Sequence, residues 1–247
     1  EKKVYLRIIF FSSIISLYLF EFYLSFNIAK NIEINEKSKI YFNSTGKQFE
    51  KRSKYEFFLS KKKKNPDVKF FIQPDNFLYY DNLSIFPLSG KSNSETIFCN
   101  ENGYYSTYLS DRYGFNNEDI IWDKSKVDYL LIGDSFVHGA CVNSKDNFAG
   151  NLKALTKKNV INLGYGGNGP LINLATLIEY LPSQKVDKIL WFYFEENDLQ
   201  ELNLEIRNSI LKNYLDNRSF SQNLKVKQSL IDKYSENLMK IKIENKN

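Results

Sequence analysis

The stretch Val127-Asp128-Tyr129-Leu130-Leu131-Ile132-Gly133-Asp134-Ser135 decides the fold prediction for this chain of 247 residues. Its apolar part is short, nearly continuous and closed by a glycine, which is typical of a buried strand that runs into a turn. Similar apolar runs occupy residues 160–163 and 188–194, and the intervening residues 146–156 and 170–181 have helical patterns. This alternation predicts right-handed crossovers and a parallel sheet. Because the strands are apolar throughout, we expect helices on both faces of the sheet.

Glycines and polar residues follow all three predicted strands. The first strand ends in Gly133-Asp134-Ser135, the second in the glycine-rich loop 164–169, and the third in residues 195–198, Glu-Glu-Asn-Asp. The carboxyl ends of parallel strands meet at one edge of a sheet, where ligands bind. A serine hydroxyl, glycine N–H groups and an asparagine amide are therefore expected to converge there. Acyl transfer needs this combination, because a nucleophile must act beside donors for the developing oxyanion, each worth roughly 3–4 kcal/mol of the barrier.

At these residues the chain resembles the SGNH (GDSL-type) hydrolase family, over about residues 127–200. Gly133-Asp134-Ser135 matches the family's first block, Asn162 followed five residues later by Gly167 matches the second, and Asn197-Asp198 matches the third. Residues 110–117 also show a looser likeness to the segment that precedes this domain in anchored or secreted bacterial members of the family. The resemblance implies a flavodoxin-like three-layer α/β fold.

The resemblance also assigns roles to individual residues. Ser135 is the expected nucleophile, placed at the start of a helix whose dipole favours the anionic intermediate. Ser135, Gly167 and Asn197 are the expected oxyanion donors, the last through its side chain. Four further residues are expected in the pocket wall or directly behind the catalytic groups: Asp134, His138, Gly166 and Asp198. For Ser135 and Asn197 the competing interpretation is a purely structural helix or loop cap.

Two features depart from the family pattern. Glu195 stands where the family usually has a glycine two residues before the asparagine. The Asp-x-x-His block that normally supplies the base is absent, and His138 is the only histidine. We expect His138 to lie in the pocket wall or behind the nucleophile, because the first turn after a nucleophile rarely directs a side chain back at it. The alternative is that His138 acts as the base. The missing block is expected beyond Asn247.

Three functions fit this pattern. The first is a serine esterase or deacylase that acts on ester-linked acyl groups, such as those of cell-envelope glycans or lipids. The second is an O-acyltransferase in which a sugar hydroxyl replaces water at the same site, and the third is a non-catalytic SGNH-like binding domain. The sequence calls for no metal and no organic cofactor.

The glycine-rich loop also fits a dinucleotide fingerprint. Gly164, Gly166 and Gly169 match Gly-x-Gly-x-x-Gly between a strand and a helix. The fingerprint normally follows the first strand of its unit, whereas this loop follows the second. The acidic residue that should stand about 20 positions later is also misplaced, because Asp187 precedes the next strand and Glu195 comes later. We therefore expect no dinucleotide.

The N-terminal segment is expected to be a membrane anchor. Residues 4–26 are almost wholly apolar, with Arg7 and Glu21 near the two ends, where their side chains can reach the headgroups. A signal peptide and a buried core helix are the alternatives. Lys and Arg flank both ends, so their count does not orient the helix. We expect an uncleaved transmembrane helix over residues 1–26, with the catalytic domain on the periplasmic or extracytoplasmic side.

The remaining chain divides by composition. Residues 27–65 are predicted to be a polar linker, residues 66–122 an irregular lead-in of short strands and loops that packs on the core, and residues 123–247 the α/β domain without its C-terminal part. The net charge of +5 comes mainly from Lys61–Lys64, which we expect to be solvated. No nucleic-acid-binding motif accompanies these lysines, so we expect no nucleic-acid partner. Cys99 and Cys141 are either a disulfide, if the domain is exported, or two free thiols.

Overall fold

The alternation of strands and helices after residue 127 is present in the computed structural model, which describes residues 2–31, 34–80 and 83–244. In that part of the chain the α-helices are α1 (Lys2–Asn31), α2 (Ile34–Thr45), α3 (Lys54–Lys62), α4 (Ser135–His138), α5 (Phe148–Thr156), α6 (Pro170–Tyr180), α7 (Asp198–Glu205), α8 (Ser209–Asp216) and α9 (Gln228–Glu244). The strands are β1 (Lys69–Phe70), β2 (Glu95–Ile97), β3 (Thr107–Leu109), β4 (Lys126–Ile132), β5 (Val160–Asn162) and β6 (Lys185–Trp191).

The α/β part is built on a small parallel sheet of order β5-β4-β6. Successive residues of a strand point to opposite faces. On one face, Leu131 and Val160 pack with Ala149 of α5. On the other face, Leu130 and Ile161 pack in the large core that also contains the apolar residues of α6. The two crossover helices therefore lie on opposite faces of the sheet, as the strand pattern predicts.

The prediction for the third strand is wrong in its bounds and in its burial. It places the strand at residues 188–194, whereas β6 is Lys185–Trp191, and the apolar run continues beyond the pairing with β4. Ile189 and Trp191 remain 45% and 43% exposed, so β6 is not covered on both faces. The physical reason is its place at the sheet edge, where β4 is its one partner among the described residues. Hydrophobic content alone does not distinguish an edge strand from a central one.

A second small sheet lies in residues 66–122. β2 is its central strand, parallel to β1 and antiparallel to β3. Two 3₁₀ turns, Pro74–Tyr79 and Asp119–Asp123, complete this segment. Its apolar side chains share one core with β4 and α6: Phe71, Phe77, Phe86, Leu88, Phe98 and Phe115. The lead-in is thus part of the same packed unit as the parallel sheet.

The buried carboxylate of Asp111 ties the lead-in to the parallel sheet. It accepts hydrogen bonds from Trp122 Nε1 at 2.8 Å and Asn117 Nδ2 at 2.9 Å, besides two backbone N–H groups. Asn117 in turn exchanges two hydrogen bonds with the backbone of Asn162 in β5. Burial raises the pKa of Asp111 to about 6, against the lowering effect of these donors. The polar residues of segment 110–117 therefore hold strand β5 in position.

The chain divides into two compact units, residues 1–51 and 52–247. In the first unit, Lys2–Ser25 of α1 is long and apolar enough to cross a membrane by length and composition, with a mean hydropathy of 1.7. The predicted apolar N-terminal helix is therefore present.

The segment predicted as a polar linker, residues 27–65, is more regular than expected. Where it is described, it contains α2 and α3. A capping box between Ser53 and Glu56 starts α3. Phe58 of this helix is buried with Val68 and Ile97. A single apolar contact of this kind is too sparse a pattern to identify from composition.

Candidate functional site

The three strand tips lie side by side at one edge of the parallel sheet. The N–H of Tyr165, after β5, donates to the carbonyl of Gly133, after β4, at 3.0 Å, and the N–H of Phe192, after β6, donates to that of Ile132 at 2.9 Å. A methyl group on Gly133 would come within 3.2 Å of Phe192 Cβ. The convergence expected from the sequence is thus present in the backbone.

Ser135 is the first residue of α4 and not its cap. The cap is Asp134, whose side chain accepts from the Phe136 N–H at 2.9 Å. This position overturns the interpretation of Ser135 as a plain N-cap. Among the described residues the Ser135 hydroxyl has no hydrogen-bond partner. Because α4 is a single turn of four residues, the helix-dipole contribution expected at Ser135 is small.

The loop after β5 is held by two hydrogen bonds on the N-terminal side of Gly167. The N–H of Gly164 donates to Asn162 Oδ1 at 2.9 Å, and that of Gly166 donates to His138 Nδ1 at 3.1 Å. Gly167 itself has φ +82°, and a methyl group there would lie 3.0 Å from Asp75 Cγ. A residue with a side chain would be strained in conformation and crowded in space. The backbone of this loop is therefore fixed before any ligand binds.

His138 is a buried ring behind the loop. It is fully buried among four aromatic rings, with centroids 4.4–5.2 Å away: Phe71, Phe98, Tyr108 and Tyr165. Since Nδ1 accepts from the Gly166 N–H, the proton of the neutral ring is on Nε2. Burial lowers the pKa of His138 to about 3. With one nitrogen accepting and the other protonated, this ring has no lone pair for the Ser135 proton.

Asn197 is half-buried at the tip after β6. Its Nδ2 donates to Glu201 Oε1 at 3.0 Å, and its Oδ1 is buried without a partner in the described part of the chain. A methyl group on Gly169 would lie 2.6 Å from Glu201 Cβ. The predicted asparagine donor and the glycine loop are thus joined through Glu201. One of the two Nδ2 hydrogens remains for a ligand.

Asp198 does not cap α7. Its Oδ2 accepts from the N–H of Phe194 at 2.8 Å and closes the turn before the helix. The N-cap position belongs to Asn197, without a side-chain capping bond. Asp198 is 1% exposed, and its Oδ1 has no partner among the described residues. A turn of this kind competes with capping for the same carboxylate.

Carboxylates dominate the electrostatics of this edge. Burial raises the pKa of Asp134 and of Asp198. The pKa of Glu201 rises to about 7, chiefly through burial and then through the charges of Asp198, Asp134 and Asp75. Negative charge opposes the binding of an anion, so this edge would hold an anion best when some of these carboxylates are protonated.

Glu205 occupies the place that a dinucleotide phosphate would need. Its carboxylate accepts from the N–H groups of Gly169, Leu171 and Ile172 at 2.7–3.3 Å, which are the free donors at the start of α6. A pyrophosphate binds such donors in the dinucleotide fold. Gly164, Gly166 and Gly169 are therefore spaced like the fingerprint but lead to a helix that is already capped.

Cys99 and Cys141 form a disulfide, which decides between the two alternatives left by the sequence. The bond joins the end of β2 to the segment that follows α4. Asn102 Nδ2 also donates to the Cys141 carbonyl at 3.0 Å. The lead-in is thereby attached to the short helix that begins with Ser135.

The sequence predicts Ser135, the glycine loop and Asn197 as site residues, together with the acidic neighbours Asp134 and Asp198. It does not predict the other three acidic residues near them: Glu201, Glu205 and Asp75. Glu201 and Glu205 follow the Asn-Asp pair at a spacing of four, which places both on one face of α7. That spacing was the available signal. Asp75 comes from the 3₁₀ turn Pro74–Tyr79 and carries no such signal.

Metal binding finds no support in the described residues, which contain no group of three or more His, Cys, Asp or Glu side chains able to hold a metal ion. Comparison of the chain with models of protein families, with curated proteins and with solved structures finds no match.

Proposed function

We propose that this chain carries the nucleophile and the oxyanion donors of a serine esterase or deacylase of the SGNH type, with a flavodoxin-like sheet. One observation carries the proposal. At the carboxyl edge of the parallel sheet, the strand tip that leads to Ser135, whose hydroxyl has no hydrogen bond in the described part of the chain, is hydrogen-bonded through its backbone to the tips that lead to the fixed glycine loop and to the half-buried Asn197 amide. Nucleophilic acyl transfer requires this arrangement.

In the proposed reaction, Ser135 Oγ forms a bond to the carbonyl carbon of an ester. The bond from that carbon to the alcohol oxygen breaks, and the serine proton leaves with the alcohol. Water then cleaves the acyl-serine and releases the carboxylic acid. The negative oxygen formed in both steps is stabilised by the Ser135 and Gly167 N–H groups and by Asn197 Nδ2.

The proposal does not use His138 as the base for the serine proton, because its Nδ1 accepts from the Gly166 N–H and its buried Nε2 carries the proton of the neutral ring. The proposal gives this role to no residue of the chain. His138 acts as a positioning residue, since its Nδ1 fixes the peptide before Gly167. Glu205 fixes the far end of the same loop through Gly169.

The proposed location is a membrane, with α1 as anchor and the α/β unit on the periplasmic or extracytoplasmic side. The apolar stretch of α1 supports the anchor. The Cys99–Cys141 disulfide supports export, because disulfides persist in oxidising compartments.

The test is covalent labelling of the full-length chain by a fluorophosphonate, located by peptide mass spectrometry. Labelling is run with and without added imidazole, which can serve as an external base. We expect the adduct on Ser135, none in Ser135→Ala, and normal labelling in Ser183→Ala, which alters an exposed serine outside the site. A chain that stays unlabelled in imidazole, while folded by circular dichroism, would favour a non-catalytic binding domain.

A further inference from the structure

A cleft beside Ser135 suggests which part of a substrate binds on that side. Its volume is about 500 Å³, in the usual range for small-molecule sites. Ser135 is part of the wall, and the rest comes from α4, the following loop, the start of α5 and Glu101 of the lead-in. The predicted nucleophile therefore stands on the boundary between this cleft and the loops that carry the donors.

The walls of the cleft are mainly apolar. Phe136 and Phe148 line it while remaining 56% and 49% exposed, and Val142 adds an aliphatic surface. Aromatic rings behind them fix their positions, with Phe194 4.9 Å from Phe136 and Phe192 5.2 Å from Phe148, between centroids. Two supported aromatic rings left half-exposed beside a serine can gain contact area when an apolar ligand enters.

The charged residues of the cleft are acidic. Glu101 and Asp146 are in its wall, and no lysine or arginine is. The neighbouring Asn147 is committed inside the protein, because its Oδ1 caps α5 at Gly150 and its Nδ2 contacts the His138 carbonyl. The cleft thus disfavours phosphate or carboxylate on its ligand and offers few polar groups for the hydroxyls of a sugar.

We propose that this cleft binds the acyl chain of the ester, and that the chain is neutral, apolar and longer than acetyl. This inference rests on the proposed function of Ser135. A carbonyl carbon bonded to Ser135 carries three other substituents: the negative oxygen, the leaving alcohol and the acyl chain. The oxygen faces the donors, the hydroxyl-rich alcohol faces the polar edge near Asn197, and the acyl chain takes the apolar side.

The experiment measures how fast alkyl fluorophosphonates of increasing chain length modify Ser135 in the full-length protein with imidazole. Each methylene that becomes fully buried increases affinity about fourfold, and each methylene bound in a half-open cleft increases it about twofold. We expect hexyl to label roughly 30-fold faster than methyl. Phe148→Ala should reduce that ratio below about fivefold. Leu155→Ala, which removes an 83% exposed side chain from the same helix, should keep the native ratio.

A second measurement does not depend on chemistry at the serine. Hydrogen exchange of residues 135–151 is followed with two neutral, uncleavable amides, N-butylhexanamide and N-butylacetamide. We expect protection by the hexanamide alone, and its loss in Phe148→Ala. Labelling without preference for chain length, or equal protection by both amides, overturns the acyl cleft and leaves the proposed function standing. Absence of labelling together with selective protection rejects the proposed function and keeps the cleft as an apolar binding site.

Discussion

The two loops that flank the predicted nucleophile differ in how fully their polar groups are bonded. After β5, the N–H groups of Gly164, Gly166 and Gly169 all have partners inside the protein. The loop after β5 has one buried oxygen without a partner among the described residues, Asn168 Oδ1. The loop after β6 and the first turn of α7 have three: Asn197 Oδ1, Asp198 Oδ1 and Glu201 Oε2. A buried acceptor without a donor costs about 1–3 kcal/mol. The first loop is therefore built for stability, and the second retains unused bonding capacity beside Ser135.

This difference separates two kinds of oxyanion donor. The Gly167 N–H belongs to a backbone that the core already fixes. Displacement of this peptide should therefore affect folding and chemistry together. Asn197 lies in the loop between the edge strand β6 and α7, and its side chain makes one hydrogen bond. Its loss should affect chemistry with little effect on folding. Each of the following variants tests one side of this contrast.

The largest effect is expected for Gly167→Ala. The left-handed conformation costs alanine roughly 1–2 kcal/mol, and the contact with Asp75 adds to this cost, so we expect about 2 kcal/mol less stability in urea unfolding. Displacement of the loop should slow fluorophosphonate labelling by about 100-fold. Gly46→Ala is the control, because Gly46 also has positive φ but nothing lies within 4 Å of the added methyl group. Equal labelling rates in the two variants would remove Gly167 from the site.

Asn197→Ala should be nearly as slow in labelling but almost as stable as the native chain. Loss of a donor to the oxyanion costs about 100-fold in rate. Loss of one half-buried hydrogen bond costs less than about 1.5 kcal/mol of unfolding free energy. Asn213→Ala, on the exposed side of α8, controls for the removal of an amide. A stability loss without a labelling defect would instead assign Asn197 to a structural cap.

The sequence predicts this contrast only in part. Strand and helix periodicity located β4, β5 and the order of the three tips, because buried strands and amphipathic helices leave local patterns. The cap of α6 by Glu205 joins residues 36 positions apart, and no local pattern encodes such a contact. Burial of His138 depends on aromatic residues from distant segments, so its role could not be derived from its position after Ser135. Exposure of β6 depends on which strand has no neighbour, which composition does not reveal.

His138→Phe should have a smaller effect on chemistry than either donor variant. It fills the aromatic core but leaves the Gly166 N–H unpaired, which costs about 1–3 kcal/mol of unfolding free energy. We expect labelling to slow by about tenfold, since Gly166 adjoins the donor peptide. His138→Asn restores an acceptor near the Nδ1 position and should recover part of the rate.

The pH profile distinguishes this positioning role from a role as base. Burial lowers the pKa of His138 to about 3, so its protonation state does not change between pH 5 and 9. The profile of labelling against pH should therefore keep its shape in His138→Phe. Complete loss of labelling, with loss of a pH-dependent limb, would make His138 the base.

The smallest effect, and the one of opposite sign, is expected for Glu201→Gln. The pKa of this carboxyl is raised to about 7, so the native protein gains a negative charge near Asn197 as the pH rises through 7. The ratio of variant to native labelling rates should rise a few-fold between pH 6 and 8, because glutamine does not repel the oxyanion. The folded state binds this proton more tightly than the unfolded state, so the contribution of Glu201 to native stability is fully present below about pH 4.5 and is lost as the pH rises to about 7. Glu201→Gln should flatten that decline in urea unfolding, whereas Glu196→Gln, which removes an exposed charge from the loop before α7, should not. A ratio that is independent of pH would show that the carboxylates around Asn197 do not act on the reaction at Ser135.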